Sequence, residues 1–223
     1  MYASLENYFT FDTKLVEGYA SDLMPYIDHI FYINLDHRTD RKEALEGELS
    51  SFGLSFERFS AIKHSFGAVG CSQSHLAILK LAKERGYKRI LILEDDFTFV
   101  VPKEKFVEEM NKIHHSKLPY DVCMISYNVI RSEPTSESFW NKMIDGQTTS
   151  GYLVNDHYYD TLIQLIEPSI PLLESTYQKH NYAIDIIYKK LQPRDKWYFT
   201  TTRIGVQRPG FSDIEQSNVD YHV

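Results

Sequence analysis

The stretch RILILEDD, residues 89–96, decides the fold class of this chain. Its run of apolar residues predicts a short strand at 89–93 that is buried on both faces. Such strands are typical of parallel sheets covered by helices. Three carboxylates, Glu94, Asp95 and Asp96, follow the strand directly. Ligands of open α/β sheets bind beyond the carboxyl ends of the strands, so this stretch also predicts where a site lies.

The segments around this strand alternate between strand and helix patterns. Apolar runs predict strands, and caps, stop glycines and helical spacing predict the helices between them. The predicted elements of the first half are strands at 30–35, 56–62 and 122–125, and helices at 40–51 (capped by Thr39), 70–85 and 102–115. Alternation at this spacing implies right-handed βαβ units and a mostly parallel sheet.

The second half of the chain is less regular. The pattern there predicts strands at 148–154 and 197–203, helices at 155–165 and 183–191, and a loop from Gln207 onward. Residues 1–27 are interpreted as an N-terminal arm with a short helix. We therefore predict a single Rossmann-like α/β domain over residues 28–223, with a mostly parallel central sheet flanked by helices.

The composition of the 223-residue chain excludes several classes of protein. With 43% hydrophobic and 25% charged residues it is near the globular averages, which argues against a fibrous or disordered chain. A net charge of −7 makes nucleic acid an improbable partner. The sequence shows no apolar run long enough for a membrane span and no signal-peptide pattern. Cys71 and Cys123 predict free thiols in a reducing compartment and exclude a cysteine-rich zinc site.

The three consecutive acids are the strongest candidate for chemistry. Alternation along an extended chain places Glu94 and Asp96 on one side and Asp95 on the other. Clustered carboxylates repel one another, and a hard divalent cation such as Mg²⁺ or Mn²⁺ would neutralise them and bridge a pyrophosphate. The alternative is a helix cap with solvated acids.

Two further segments can contact an anionic nucleotide. In NLDHRTDR, residues 34–41, Arg38 and Arg41 can bind phosphate at a helix start, and Asn34 and Asp36 can bind a base or ribose. The alternative is a capped helix with surface arginines. The other segment is FGAVGCSQSH, residues 66–75, whose paired glycines permit close backbone approach to a ligand, although a purely structural role is the alternative. His75 either faces the nucleotide or is a core histidine.

Two later segments remain open between function and structure. Asp185 lies among apolar residues at a predicted helix start, where it is either a general base or an N-cap. The polar segment 207–215 can close over a site or be plain tail.

Six pieces of the chain form a set with a characteristic order. They are FYINLDHRTDR, GAVGCSQSHLAIL, ILILEDD, TSGYLVNDHYYDTLI, AIDIIYKK and FSDIE, and they run from about His29 to Glu215. The combination of GAVGCSQSH with LEDD about 20 residues later is the most specific part of the set. In these pieces and their order the chain resembles glycosyltransferase family 25, which includes bacterial lipopolysaccharide glycosyltransferases and collagen hydroxylysine galactosyltransferases. The resemblance implies a GT-A-type fold, a UDP-hexose donor and a divalent metal, usually Mn²⁺.

The resemblance also implies roles for individual residues. Glu94 and Asp96 match the metal ligands of a DxD-like motif. Asp185 matches the acidic residue of a proline-valine-aspartate segment, with Ala183 and Ile184 in place of the proline and valine. The residues assigned to nucleotide-sugar binding are Asn34, Asp36, Arg38, Arg41, Gly70, Ser74, His75, Asp95, Gly151, Gln207 and Asp213.

These assignments predict an inverting transferase that moves a hexose, galactose or glucose, to a hydroxyl group, with Asp185 as the base. The acceptor is a glycan, a lipopolysaccharide or hydroxylysine of a collagen-like protein. The expected location is the cytoplasm of a bacterium or of a virus-infected host cell. One alternative is an inactive module that binds a sugar nucleotide or glycan. A phosphoacceptor receiver domain fits poorly, because such domains carry their paired acids on the first strand. The sequence does not predict an oligomeric state.

Overall fold

The computed structural model describes residues 26–220. The predicted arm at residues 1–27 therefore lies almost entirely outside the described residues. The strands are β1 (His29–Asn34), β2 (Glu57–Ser60), β3 (Arg89–Glu94), β4 (Phe97–Phe99), β5 (Val122–Pro134), β6 (Trp140–Asn155), β7 (Trp197–Thr200), β8 (Gly205–Gln207), β9 (Gly210–Ser212) and β10 (Ser217–Val219). The α-helices are α1 (Thr39–Ser51), α2 (Gly67–Glu84), α3 (Lys103–His115), α4 (Tyr159–Ile166), α5 (Ser169–Thr176), α6 (Lys179–Tyr182) and α7 (Ile184–Tyr188).

The central sheet has six strands in the order β2-β1-β3-β6-β5-β7. Parallel pairing joins β1 to β2 and β3, and joins β5 to β7, whereas β6 runs antiparallel to both of its neighbours. Five strands therefore share one direction. The predicted α/β fold with a mostly parallel sheet is confirmed.

The side chains of β3 alternate between two hydrophobic cores, as expected for a strand buried on both faces. Ile90 and Ile92 pack into one core with residues of α2, α4 and α7. Leu91 and Leu93 pack into the other core with residues of α1 and α3. All four side chains are inaccessible to solvent. Helices on both faces thus hold β3 rigidly and set its carboxyl end in place.

Glycines end two helices where the sequence predicts it. Gly53 after α1 and Gly86 after α2 both have φ of +71°, a conformation that glycine adopts without steric cost. The start of α1 differs from the prediction, because Thr39 is its first residue and Arg38 occupies the N-cap position.

The predicted strands at 122–125 and 148–154 are too short, since β5 and β6 extend as a long hairpin. The extension consists largely of polar residues that pair with one another, so it shows no apolar alternation. The predicted helix at 155–165 begins later, after a 3-10 turn at Asp156–Tyr158, and the one at 183–191 is shorter. Helices α5 and α6 were not predicted.

The prediction of a loop from Gln207 onward is wrong. Strand β8 pairs with β4, which was not predicted either, and β9 pairs with β10. These strands are three residues each, and the partners β4 and β8 are distant in the chain, so local sequence carries little signal for them. None of the helices in residues 26–220 is long and apolar enough to cross a membrane.

Candidate active site

A cleft of about 200 Å³ lies beyond the carboxyl ends of β1 and β3, between the start of α2 and the C-terminal segment. Parallel strands bring their carboxyl ends to one edge of the sheet, which explains this position. Nine of the predicted site residues line the cleft: Arg41, Gly70, Ser74, His75, Glu94, Asp95, Asp96, Gln207 and Asp213.

Glu94 is held by a chain of hydrogen bonds that begins in the core. Tyr152 Oη lies 2.9 Å from His75 Nδ1, and His75 Nε2 lies 3.0 Å from Glu94 Oε1. Thr149 Oγ1 donates to the same carboxylate oxygen at 2.6 Å. Burial disfavours the charged form of Glu94, but His75 and Thr149 outweigh it, so the pKa of Glu94 lies below its usual range. Glu94 is therefore a fixed carboxylate.

Asp95 points the other way and joins β3 to the segment after β1. Its Oδ1 accepts a hydrogen bond from Arg41 Nη1 at 2.8 Å, and its Oδ2 accepts one from Asn34 Nδ2 at 2.8 Å. Arg58 Nε in turn donates to Asn34 Oδ1 at 2.9 Å. Burial raises the pKa of Asp95, and Arg41, which lowers it, offsets only part of this rise. Both oxygens of Asp95 are thus engaged by the protein.

Asp96 keeps one oxygen without a partner. Its Oδ2 accepts hydrogen bonds from Gln207 Nε2 at 3.0 Å and Arg41 Nη1 at 3.1 Å. Its Oδ1 is buried and has no hydrogen-bond partner among residues 26–220. Burial, followed by the charge of Glu94, raises the pKa of Asp96 to about 7. Buried polar atoms are normally satisfied, and this one is in the cleft, so Asp96 Oδ1 is a candidate contact for a ligand.

The carboxylates fit a hard divalent cation. Asp96 Oδ1 is a carboxylate oxygen with no hydrogen-bond partner among residues 26–220, and Glu94 adds a fixed negative charge beside it. Cys71, His75 and Glu94 form a second arrangement, with ligand atoms within 4.8 Å of one another. Burial raises the pKa of Cys71 well above its usual range, so it stays a thiol, whereas soft metals bind the thiolate. The chemistry of the donors therefore favours Mn²⁺ or Mg²⁺ at the carboxylates.

Arg41 is the cation that the protein itself supplies to this cluster. Besides Asp95 and Asp96, its guanidinium contacts Phe211 O at 2.8 Å, and 14% of its side chain is exposed. Burial lowers its pKa, but the two carboxylates outweigh this effect and raise it. In this conformation Arg41 links the two aspartates to the C-terminal segment. The sequence pattern predicted that it binds phosphate.

Replacing Arg41 with Ala is expected to lower the free energy of unfolding by about 3–5 kcal/mol, because it leaves two buried carboxylates without their counter-charge. Urea denaturation measures this loss. The matched control is Arg194→Ala, since Arg194 pairs with Asp195 but its side chain is 66% exposed. We expect the control to lower the free energy of unfolding far less than Arg41→Ala does, because solvent screens an exposed ion pair. Equal losses in the two variants would contradict a counter-charge role for Arg41.

The predicted close approach at Gly70 is present, but inside a helix. Helix α2 begins at Gly67, three residues before the predicted start. A Cβ atom on Gly70 would lie 2.2 Å from Ile62 O, so only glycine lets the helix pack against the loop after β2. Ser74 Oγ accepts the Ile62 N–H at 2.9 Å and donates to Gly70 O at 2.7 Å. Gly70 and Ser74 therefore shape the wall of the cleft.

Asp185 lies next to the cleft, at the start of α7. Backbone N–H groups of Ile186 and Thr148 donate to its carboxylate, yet burial and the charge of Glu94 raise its pKa. Thr148 has φ of +73°, an unfavourable conformation for a β-branched residue. That strained backbone aims its N–H at Asp185 while the next residue, Thr149, reaches Glu94.

Four other predicted residues lie outside the lining of the cleft. Asn34 is buried and holds Asp95. Asp36 is exposed and accepts hydrogen bonds from Arg58 at 2.5 Å and Ser60 at 2.7 Å. The remaining two are Gly151, which is buried against the ring of Phe97, and Arg38, which binds Asp40 and Asp213.

Sequence reasoning missed three residues that organise the site, namely Thr149, Tyr152 and Arg58. The first two reach Glu94 and His75 because β6 lies beside β3, with Gly151 opposite Leu93. Nothing in the local sequence shows that strands so far apart in the chain pair antiparallel. Arg58 reaches Asn34 because β2, which carries it, pairs in parallel with β1.

Comparison with known proteins identifies the family. A family model described as glycosyltransferase family 25 (LPS biosynthesis protein) matches residues 63–186, more than half of the chain. The chain belongs to glycosyltransferase family 25. The match includes the start of α2, the three acids at the carboxyl end of β3 and Asp185. The family predicted from the sequence motifs is thereby confirmed.

Two curated relatives, both named Glycosyltransferase 25 family member, agree with this assignment. The one from Drosophila melanogaster is 25% identical over 162 residues, covering 58% of this chain and 26% of the relative. The one from Drosophila pseudoobscura pseudoobscura is 29% identical over 101 residues, covering 33% of this chain and 16% of the relative. This family 25 chain thus corresponds to about a quarter or less of the length of these relatives.

A solved structure supports the fold. The chain resembles a glycosyltransferase involved in the glycosylation of the major capsid of PBCV-1, with a TM-score of 0.51 and 13% sequence identity. The similarity covers 84% of this chain and 95% of that one. The family 25 domain therefore has the predicted glycosyltransferase-like α/β fold.

Proposed function

We propose that this family 25 chain is a metal-dependent, inverting glycosyltransferase that moves a hexose from a UDP-sugar to a hydroxyl group. The observation that carries the proposal is Asp96 Oδ1, a buried carboxylate oxygen with no hydrogen-bond partner in the described part of the chain, in a cleft that also contains Glu94 and Asp95. A net charge of −7 would repel a nucleotide diphosphate unless a local cation intervened. The carboxylates offer a place for that cation.

Asp96 and Glu94 are the proposed ligands of Mn²⁺ or Mg²⁺. A cation bound there would supply positive charge that stabilises the departing diphosphate. Arg41 and Gln207 fix Asp96 from the side opposite its unpartnered oxygen, and His75 fixes Glu94. The protein thus positions both carboxylates before the donor arrives, which lowers the reorganisation needed during the reaction.

Asp185 is the proposed base. In the transfer, the bond between the anomeric carbon and the diphosphate oxygen breaks with its electron pair on the diphosphate, and the acceptor oxygen forms the new bond. The proton of the acceptor hydroxyl passes to the Asp185 carboxylate. Burial and Glu94 raise the pKa of Asp185, which makes it a stronger base than an ordinary carboxylate. Inversion requires this group on the face opposite the leaving group.

The finer parts of the function are proposals of the same kind. The donor sugar is galactose or glucose, and the acceptor is a glycan, a lipopolysaccharide or hydroxylysine of a collagen-like chain. Arg38 and Arg41 both donate to Phe211 O, and Arg38 also pairs with Asp213, so the two proposed phosphate-binding arginines contact the C-terminal segment beside the cleft. A cytoplasmic location stays a prediction.

The function is tested with a panel of UDP-galactose, UDP-glucose, UDP-N-acetylglucosamine and GDP-mannose. Each donor is titrated by calorimetry and assayed for nucleotide release, with Mn²⁺ and with EDTA. We expect one UDP-hexose to bind and to release UDP in Mn²⁺, and both signals to fall by at least tenfold in EDTA, because a cation held by the carboxylates would offset the negative charge of the diphosphate. Binding that is equal in Mn²⁺ and EDTA would contradict metal dependence. Absence of binding by all four would contradict the proposed function.

A further inference from the structure

An exposed tyrosine in a strained conformation lies at the end of α5. Tyr177 has φ of +58°, in the left-handed region that favours glycine, and it is 69% exposed. Because the ring is mostly exposed, its burial contributes little energy to offset the strain of the backbone. Strained residues cluster at functional sites, so the position of this ring relative to the cleft is informative.

The ring of Tyr177 pairs with that of Phe66 at the rim of the cleft. The two ring centroids are 5.2 Å apart and the planes are tilted by 48°. Phe66 stands between Ser65 and Gly67, which both line the cleft. Ile62, another lining residue, is 38% exposed and extends this apolar surface. The aromatic pair, Phe66 and Tyr177, is therefore continuous with the cleft that contains the carboxylates.

A polar network fixes the aromatic pair from behind. With its hydrogen on Nε2, His64 accepts the Phe66 N–H at Nδ1 over 3.0 Å. Its Nε2 lies 3.2 Å from Glu174 Oε1, on the helix that ends at Tyr177. The loop that carries Phe66 and the helix that precedes Tyr177 are thus joined by one side chain. A preorganised pair of rings binds a ligand at a smaller entropic cost than two mobile ones.

The carboxylates beside the aromatic pair are hydrogen-bonded by neighbouring side chains. His64 donates from Nε2 to Glu174 Oε1 at 3.2 Å, and Lys179 Nζ contacts Glu215 Oε1 at 2.7 Å. The exposed Lys63, which also lines the cleft, adds positive charge that would repel an ammonium group. Aromatic faces next to hydrogen-bonding groups suit an uncharged sugar ring, with an apolar face and polar edges, better than a lysine-like side chain.

We propose that Phe66 and Tyr177 form the acceptor subsite and that they stack on a pyranose ring of a carbohydrate acceptor. This inference rests on the proposed function and deepens it, because it selects a glycan over hydroxylysine as the acceptor. The sugar lies against the two rings, and its reactive hydroxyl enters the cleft beside Ser65 and Gly67. The experiment below also tests a peptide acceptor, whose binding is the result that competes with this proposal.

The experiment compares the wild-type chain with Tyr177→Gly, Tyr177→Phe and Ile130→Ala. The glycine variant removes the ring and relieves the left-handed strain, so a merely structural role predicts an unimpaired protein. Ile130 is 57% exposed on the distant β5–β6 hairpin and serves as the matched control. The probes are methyl β-galactoside, methyl β-glucoside, methyl β-N-acetylglucosaminide, lactose and a hydroxylysine-containing collagen-like peptide. Binding is measured by saturation-transfer NMR, and donor affinity by calorimetry with Mn²⁺.

We expect at least one saccharide to bind, with an affinity that falls about tenfold in Tyr177→Gly and is kept in Tyr177→Phe and Ile130→Ala. Donor affinity should be equal in all four proteins. The inference is overturned if no saccharide binds while the donor does, if Tyr177→Gly binds saccharides like wild type, or if only the peptide depends on Tyr177. Failure of the wild-type chain to bind any donor in Mn²⁺ would instead overturn the proposed function and this inference with it.

Discussion

Replacing Asp96 with Asn is expected to reduce nucleotide release from the donor by about 10³-fold, with the folded structure retained. The substitution removes a charged oxygen ligand from the proposed cation, and stabilisation of the departing diphosphate disappears with it. Stability should change by less than about 1 kcal/mol, because burial already disfavours the charge of Asp96 and raises its pKa to about 7. The measurements are donor turnover, Mn²⁺ binding by calorimetry and thermal unfolding.

Asp95→Asn is the matched control for this prediction. Asp95 gives both oxygens to Arg41 and Asn34, so its replacement should cost about 1–3 kcal/mol of stability. Because it leaves Asp96 Oδ1 in place, it should weaken Mn²⁺ binding much less than Asp96→Asn does. The metal assignment is wrong if Asp96→Asn binds Mn²⁺ as tightly as wild type, or if the two variants lose Mn²⁺ binding equally.

Replacing Asp185 with Asn is expected to lower kcat by about 10²–10⁴-fold, the usual contribution of a general base. The amide cannot accept the proton of the acceptor hydroxyl, but it keeps an oxygen for the backbone N–H groups of Ile186 and Thr148. Donor and Mn²⁺ affinities should therefore stay within about threefold of wild type. Steady-state kinetics with the saccharide acceptor and calorimetry with the donor separate these effects.

The control for Asp185→Asn is Asp160→Asn, a carboxylate on α4 whose side chain is 59% exposed and pairs with Lys83. It should leave kcat unchanged. A loss of donor affinity in Asp185→Asn that matches its loss of kcat would assign Asp185 to donor binding instead. Unchanged kcat would rule it out as the base and leave an N-terminal structural role in α7.

The parts of the fold that local sequence predicted well are those with strong local causes. Strand β3 follows from a run of apolar residues, and the ends of α1 and α2 follow from Gly53 and Gly86, which adopt positive φ. The C-terminal strands β8, β9 and β10 have no such cause. They form by pairing with other short strands, which no sequence pattern predicts. Three residues of weak strand propensity do not specify a strand on their own.

The candidate site divides in the same way. The three acids, Arg41 and His75 were found because their residue types and spacing suggested charge and ligand chemistry. Thr149 and Tyr152 carry no such signal, and they act only because β6 runs antiparallel beside β3.

The sequence by itself determined the α/β class, the family and the position of the carboxylates, because apolar periodicity and residue type are local properties. Tertiary structure decided which of these groups are engaged and which are free. Arg41 and Asn34 satisfy Asp95, whereas Asp96 Oδ1 finds no partner among the residues that the structure describes, and this asymmetry arises from packing between β1, β3 and the C-terminal segment. Hydrogen bonds and burial depend on distances between residues far apart in the chain, which no local pattern encodes.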